Sequence, residues 1–380
     1  MASFPSNPPF RAEHIGSFLR PSALLEARSA HAAGRLSRAD LRAREDAAIR
    51  DFVILQASLG LEAVTDGEFR RSTYTENLTT SGLTGITAEQ AGEGAWAYTD
   101  ASGHRERARI LAVTDRIRWS GSTNAQDFAF LRGGANAAAS KPTPKMTLPG
   151  PCYIHFRAGR ERISQDVYPH LDDFWSDLTD AYAAELAALA QAGCTYVQLD
   201  ETSIAKLGDP KIREALAARG DPWEPLLDRY IAVINAVVSR APAGMRIGMH
   251  LCRGNRMGHW QAEGGYDTVA EKVFRGLAID FFFLEYDSAR AGTFEPLRAV
   301  PEHKAIVLGL VSTKVAELEP ADMLIARVKD CARYVGLERL AVSPQCGFSS
   351  SVKGNTIMSQ DQAVAKLARV VEVAQSLWGD

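Results

Sequence analysis

The sequence predicts an α/β fold of the TIM type, a (β/α)8 barrel with a β-rich insertion between its second and third strands. Three observations predict it. Eight short apolar runs alternate with longer helical stretches, as in parallel strands joined by helical crossovers. Polar and reactive residues fall at the C-terminal ends of those runs, where barrels of this type carry their chemistry. The chain has 380 residues, more than the roughly 250 of a typical barrel, which leaves room for an excursion.

The candidate strands, in order, are PFRAEHIGS, LEAVTDGE, PKMTLPGP, CTYVQLDE, RIGMHLC, DFFFLEYD, AIVLGLVS and RLAVSPQCG. Between them, apolar residues recur three and four apart over Ser37–Ser58, Leu171–Ala192, Trp223–Ser239, Tyr266–Arg275, Pro320–Tyr334 and Gln360–Trp378, the period of a helix with one buried face. The stretch from about 79 to 140 breaks this rhythm. It is rich in Gly, Ala, Thr and Ser and contains ARILAVTDRIRWSG, which alternates as an antiparallel hairpin does. It reads as an insertion covering one barrel face, within one catalytic barrel domain over residues 1–380. The Pro-rich first dozen residues read as a tail or arm. A doubly wound open sheet is the alternative, but no G-x-G-x-x-G or P-loop follows a strand.

Composition narrows the partners. Hydrophobic residues make up 46% and charged residues 23%, and the formal net charge is −3, which gives no reason to expect nucleic acid or an anionic membrane as a partner. No apolar run approaches the roughly 20 residues needed to span a bilayer, and the N-terminus lacks the pattern of a signal peptide. A cytoplasmic location is expected. The five cysteines, Cys152, Cys194, Cys252, Cys331 and Cys346, are odd in number and widely spaced, which argues against a disulfide framework. Cys194 and Cys331 read as buried apolar side chains; Cys152 follows a Pro-Gly-Pro turn near a strand end.

The strand ends of the second half carry zinc-type ligands. His250 and Cys252 lie in RIGMHLCRGN, Glu285 in DFFFLEYDSAR and Cys346 in LAVSPQCGFSS. An H-x-C pair on an extended segment points both side chains to one face. Taken alone, the pair reads more simply as a buried thiol beside a hydrogen-bonded imidazole. With Glu285 and Cys346 at two further strand ends it becomes an N/S/O zinc set. A cation held mainly by sulfur suits activation of a substrate thiol, which has a pKa near 8.5 when free. An oxygen ligand such as Glu285 is the natural one to yield to the incoming sulfur.

The early strand ends offer an amino-acid grip. AEHIGSFLRP presents the backbone N–H groups of Gly16 and Ser17, with the Ser17 hydroxyl, to a carboxylate. Glu68 in VTDGEFRR and Asp200 in YVQLDETS suit an ammonium group. The plainer reading of the two acids is ion pairing with Arg20, Arg70 or Arg71. His14 is the candidate general acid on the donor side, the alternative being a satisfied strand-end histidine. His155, His170 and His303 read as surface or packing residues.

Taken together, HIGSFLRP, VTDGEFRRSTY, VQLDE, MHLCRGN, FLEYDSARAGTFEPL, GLVSTKVAELE and SPQCGFSSS resemble the catalytic domain of cobalamin-independent methionine synthase, and most of all its short bacterial relatives. The resemblance runs from about Glu13 to Trp378. It implies a TIM barrel, a catalytic zinc on His250, Cys252, Glu285 and Cys346, and methyl transfer to homocysteine. It further implies homocysteine contacts at Ile15, Gly16, Ser17, Glu68 and Asp200. Two departures stand out. The chain has no room for the second, N-terminal barrel of the full-length synthase. The histidine that assists proton transfer to folate after the seventh strand is also missing, since that segment reads LVSTKVAELE. A folate amine needs protonation to leave. The donor is therefore left among methyltetrahydrofolate, a methylated corrinoid (free or protein-bound) and another activated methyl compound. The alternatives are a different zinc-dependent thiol alkylation, such as that of epoxyalkane:coenzyme M transferase, and a non-catalytic zinc- or thiol-binding protein.

Overall fold

The computed structural model describes residues 8–90, 96–99, 103–107, 109–352 and 354–379. Its strands are β1 (Ala63–Val64), β2 (Ile86–Gln90), β3 (Tyr98–Thr99), β4 (Arg105–Glu106), β5 (Arg109–Val113), β6 (Thr143–Pro144), β7 (Met146–Pro149), β8 (Tyr196–Glu201), β9 (Arg246–Leu251), β10 (Phe281–Glu285), β11 (Ala305–Val311) and β12 (Leu340–Pro344). Strands β7 to β12 pair in parallel in chain order. Strand β1 pairs in parallel with β6, which leads into β7 across Lys145. The segment before β1 bridges β12 in parallel at Ala12 and Val342. It then meets the β1 end through Phe18 N–H to Gly67 O (3.1 Å) and the Thr65 hydroxyl to Gly16 O (2.7 Å). This is the (β/α)8 barrel that the alternation of elements predicts.

The first expected strand contributes a bridge rather than a ladder. Side chains inside the barrel take its carbonyls instead: the Lys145 ammonium binds His14 O, and the Gln198 amide donates to Ile15 O at 2.7 Å. From Pro8 onward the expected tail is packed structure, with Phe10 and Arg11 buried; residues 1–7 lie outside the described residues.

The core has two layers. Phe10, Ile15, Ala63, Tyr196, Phe281, Phe283, Val307 and Ala341 fill the barrel interior, alternate residues of each strand sharing that side. A larger cluster packs the outer faces of the strands against the helices. Gly248 of β9 makes room for the interior: a Cβ there would lie 2.3 Å from the Phe281 ring. A buried polar chain threads the interior. Lys145 lies 3.1 Å from both Glu13 and Gln198, Tyr196 donates to Glu13 at 2.7 Å, and Gln198 donates to Asp200 at 2.7 Å.

Two expectations for the excursion are corrected. ARILAVTDRIRWSG does not fold on itself; β5 pairs antiparallel with the distant β2, Ile86 facing Val113, and β3 pairs with β4. Residues 91–95, 100–102 and 108 of this stretch lie outside the described residues. The stretch also includes a helix, Thr123–Ala137, which packs on the Arg38–Ser58 and Leu171–Gln191 helices and so belongs to the barrel's outer ring. Its apolar face, Phe128, Leu131 and Ala135, is diluted by Gly133 and Gly134 and by buried Asn124 and Asp127, which hides the period. Among the described residues no helix is long and apolar enough to cross a membrane.

His155 is buried, with Nδ1 3.1 Å from the Tyr230 hydroxyl, and packs on Trp175. Burial, helped by Arg219 and Arg160, lowers its pKa to about 3. An unfolded histidine titrates near 6.5. Below pH 6.5 the unfolded chain therefore takes up a proton that the folded chain refuses. The stability tied to neutral His155 is complete above pH 6.5 and is lost as pH falls towards 3, at about 1.4 kcal/mol per pH unit. Urea unfolding between pH 6.5 and 4.5 should be shallower in pH for His155→Phe by about that slope. Equal slopes in the two proteins would remove this account.

Candidate metal centre and thiol cleft

The β9 strand brings His250 and Cys252 to one end of the barrel, and the turn after β12 brings Cys346 to meet them. Their ligand atoms all lie within 4.8 Å of one another, and all three residues are buried. The two sulfurs are 3.6 Å apart. Gly254 N–H donates to Cys252 Sγ at 3.2 Å. The hydrogen-bonded Cys346 thiol, more than the histidine, pulls Cys252 well below the ordinary thiol range and is itself pushed up. Neither ring nitrogen of His250 has a hydrogen-bond partner among the described residues. A buried imidazole without partners beside a thiol pair is costly on its own. One imidazole and two thiols within reach of one another are the donor set of a soft N/S cation site. The residues fit zinc.

Glu285, at the end of β10, stands at the edge of this trio, with Oε1 4.0 Å from Cys252 Sγ. Its oxygens accept from Arg253 N–H (2.8 Å) and the Gln345 amide (2.9 Å), and the Lys314 ammonium lies 3.5 Å away. Burial alone would raise its pKa, but Lys314, Arg253 and Arg290 bring it down to about 2. It is therefore an anion already engaged by cations. The segment after β11 supplies this ammonium.

The trio opens into a cleft that Ile15, Ser17, Glu68 and Asp200 also line. Gly16 lies in the same turn with φ +139°, and a Cβ there would meet Thr147 at 2.6 Å. Gly347 lets the Cys346 turn press on Ser17, whose Oγ would sit 2.0 Å from a Cβ at that position. Glu68 has φ +58°, a conformation that costs about 1–3 kcal/mol and gathers at functional sites. Its Oε1 accepts from Thr147 at 3.0 Å with Arg71 at 3.8 Å, and its Oε2 has no partner among the described residues. Burial raises the Glu68 carboxyl against the pull of Arg71. Burial likewise pushes Asp200 up to about 7, against the pull of His250 and with Glu68 adding to the rise. Of the two buried acids only Glu68 has an arginine within ion-pair distance among the described residues, and burial raises both carboxyls.

His14 is placed behind the cleft. Its ring packs edge-on against Phe52 of the outer helix at 6.5 Å, and burial, helped by Lys145, lowers its pKa well below the ordinary value. Cys152, Cys194 and Cys331 are buried away from the trio, and His170 and His303 are exposed. Residues absent from the sequence reading complete the cleft: Tyr74, Tyr98, Tyr153 and Arg157 form a wall in which β3 of the insertion meets the short helix after β7, Tyr153–Ala158. An arginine and a tyrosine just beyond a strand end were the available signal.

Residues 10–376 match the family described as cobalamin-independent synthase, catalytic domain. The chain belongs to the cobalamin-independent methionine synthase family. Within this methyltransferase family it is 38% identical to the Bacillus subtilis protein YxjH over 371 residues, 97% of this chain and 95% of that one. A Listeria monocytogenes protein classed with the vitamin B12-independent methionine synthases is 31% identical, with 98% and 99% of the two chains covered and a TM-score of 0.76. A B12-independent methionine synthase from Shewanella sp. W3-18-1, solved with selenomethionine, shares the fold at 18% identity and a TM-score of 0.71, over 96% and 97% of the chains. The 5-methyltetrahydropteroyltriglutamate–homocysteine methyltransferase of Streptococcus agalactiae is 22% identical over 357 residues, and this chain spans 43% of its length. In fold and family the sequence reading holds.

Proposed function

We propose that the protein is a zinc-dependent S-methyltransferase that methylates the thiol of homocysteine or a close amino-acid thiol. The observation that carries the reading is one cleft shared by the His250–Cys252–Cys346 trio and the buried acids Glu68 and Asp200. When bound by the trio with Glu285, zinc would supply Lewis acidity that keeps a substrate thiol ionised at neutral pH.

The chain's own groups do the remaining work. Glu68 and Asp200 hold the substrate ammonium, and the Ile15–Gly16–Ser17 turn takes its carboxylate with backbone N–H groups and the Ser17 hydroxyl. Fixing both ends of the amino acid aims its sulfur at the trio, a positioning effect. In the transfer the S–H bond breaks, the sulfur pair forms the S–CH3 bond, the donor keeps the electron pair of its broken methyl bond, and the thiol proton goes to the folate nitrogen or, with a corrinoid, to solvent. The donor is methyltetrahydrofolate or a methylated corrinoid, free or carried by a protein. Lys314, fixed beside Glu285, holds that carboxylate charged and in place.

Zinc-loaded protein given homocysteine and isotopically labelled methyl donors should form labelled methionine, read by mass spectrometry. Label from methylcobalamin and none from methyltetrahydrofolate would tie the missing histidine to a change of donor. Alkylation of coenzyme M in preference to homocysteine would overturn the proposal.

A further inference from the structure

The cleft is sorted by charge. Its acids, Glu68 and Asp200, sit beside the sulfur trio, while the tyrosine wall carries Arg157. Arg157 is 4% exposed. One of its terminal nitrogens donates to the Tyr98 hydroxyl at 2.8 Å. Its Nε and other terminal nitrogen are buried without a hydrogen-bond partner among the described residues, and no carboxylate pairs with it there. The guanidinium lies against the rings of Tyr153 (5.5 Å) and Tyr98 (5.7 Å), and Tyr74 stands edge-on to Tyr153 at 5.8 Å.

Ring contacts of this kind return only part of what a buried cation loses on leaving water. Nη2 keeps a second N–H beyond the one given to Tyr98, and beside an unpartnered Nε or Nη1 it completes a two-pronged edge matched to a carboxylate or phosphate. The tyrosines add aromatic edges and faces around it, a lining suited to a flat ring. Both ends of the amino acid are already accounted for by the acids and the Ser17 turn, so the fork is left to the other reactant. We infer that Arg157, framed by Tyr74, Tyr98 and Tyr153, binds an anionic group, carboxylate or phosphate, carried on the aromatic part of the methyl donor. That the anion belongs to the donor rests on the proposed function; the anion site itself does not.

The test is calorimetric binding to the full-length, zinc-loaded protein, with benzoate and phenyl phosphate as anionic probes and benzamide as the neutral control. At least one anion should bind at least tenfold more tightly than benzamide. Arg157→Met should weaken that anion by roughly 10–100-fold, the value of a charge-assisted pair, and leave methionine binding within twofold. Arg157→Lys, which keeps the charge and loses the fork, should fall between; it also serves if the Met variant does not fold. Equal binding of anions and benzamide, or an Arg157→Met protein that binds the anion as before, would overturn the inference. So would loss of methionine affinity in that variant, or displacement of methionine by coenzyme M that depends on Arg157, since either would seat the thiol substrate on the fork. The outcomes separate the two proposals: anion binding lost with Arg157, in a protein that never forms methionine, keeps the subsite and removes the methyltransferase.

Discussion

Replacing Cys346 by Ala should remove metal and methyl transfer together. The substitution takes one of two sulfurs 3.6 Å apart and leaves Cys252 and His250 to hold a cation with half the thiolate donors. Loss of Lewis-acid stabilisation worth several kcal/mol corresponds to a rate at least about 10³-fold lower. Metal content by mass spectrometry and methionine formation should fall in the same preparation, while circular dichroism stays that of the wild type. The Cys331→Ala protein is the control. That thiol is buried against the helix layer, and its loss should leave metal content unchanged. A Cys346→Ala protein that transfers methyl groups at full rate without metal would sink the proposed chemistry.

The second large effect is expected at the paired acids. Asp200→Asn or Glu68→Gln should raise KM for homocysteine by roughly 10–150-fold, the range for loss of a hydrogen bond to a charged group. Asp200 is seated by the Gln198 amide at 2.7 Å, and Glu68 by Thr147 at 3.0 Å. Removing their charge keeps the shape. The discriminating substrate is 4-mercaptobutyrate, which keeps the thiol and carboxylate of homocysteine and lacks the amine. Its reaction, slow in the wild type, should not slow further in either variant. Equal losses on the two thiols would assign Glu68 and Asp200 a structural role.

The trio was legible in the sequence because its geometry is local. Two residues apart where β9 ends, His250 and Cys252 share a face, and the barrel brings the turn after β12 round to them whatever the sequence distance. Asp200 and Glu68 were legible for the same reason, as strand-end acids. The surroundings of Glu285 were not. Whether a strand-end carboxylate faces a cation site or answers to Lys314, Arg253 and Gln345 depends on residues from three other segments. The tyrosine wall was hidden too, since β3 and the helix after β7 meet only in the folded chain. The Thr123–Ala137 helix escaped because its buried face includes Asn124 and Asp127, which a period search counts as solvent-facing.

Phe281 and Phe283, with the Lys145–Glu13 pair, plug the barrel from within. The cleft thus has a floor, and the insertion is tied to the loop after β9 where Thr99 and Trp260 exchange backbone hydrogen bonds of 2.7 and 2.8 Å. A thiol held at the strand ends against that floor lies beneath a donor bound at the tyrosine wall. The thiol, seated at the strand ends, must arrive before the donor covers it, and methionine must wait for the spent donor to leave. Initial-rate kinetics should therefore show a compulsory order, with methionine competitive against homocysteine alone.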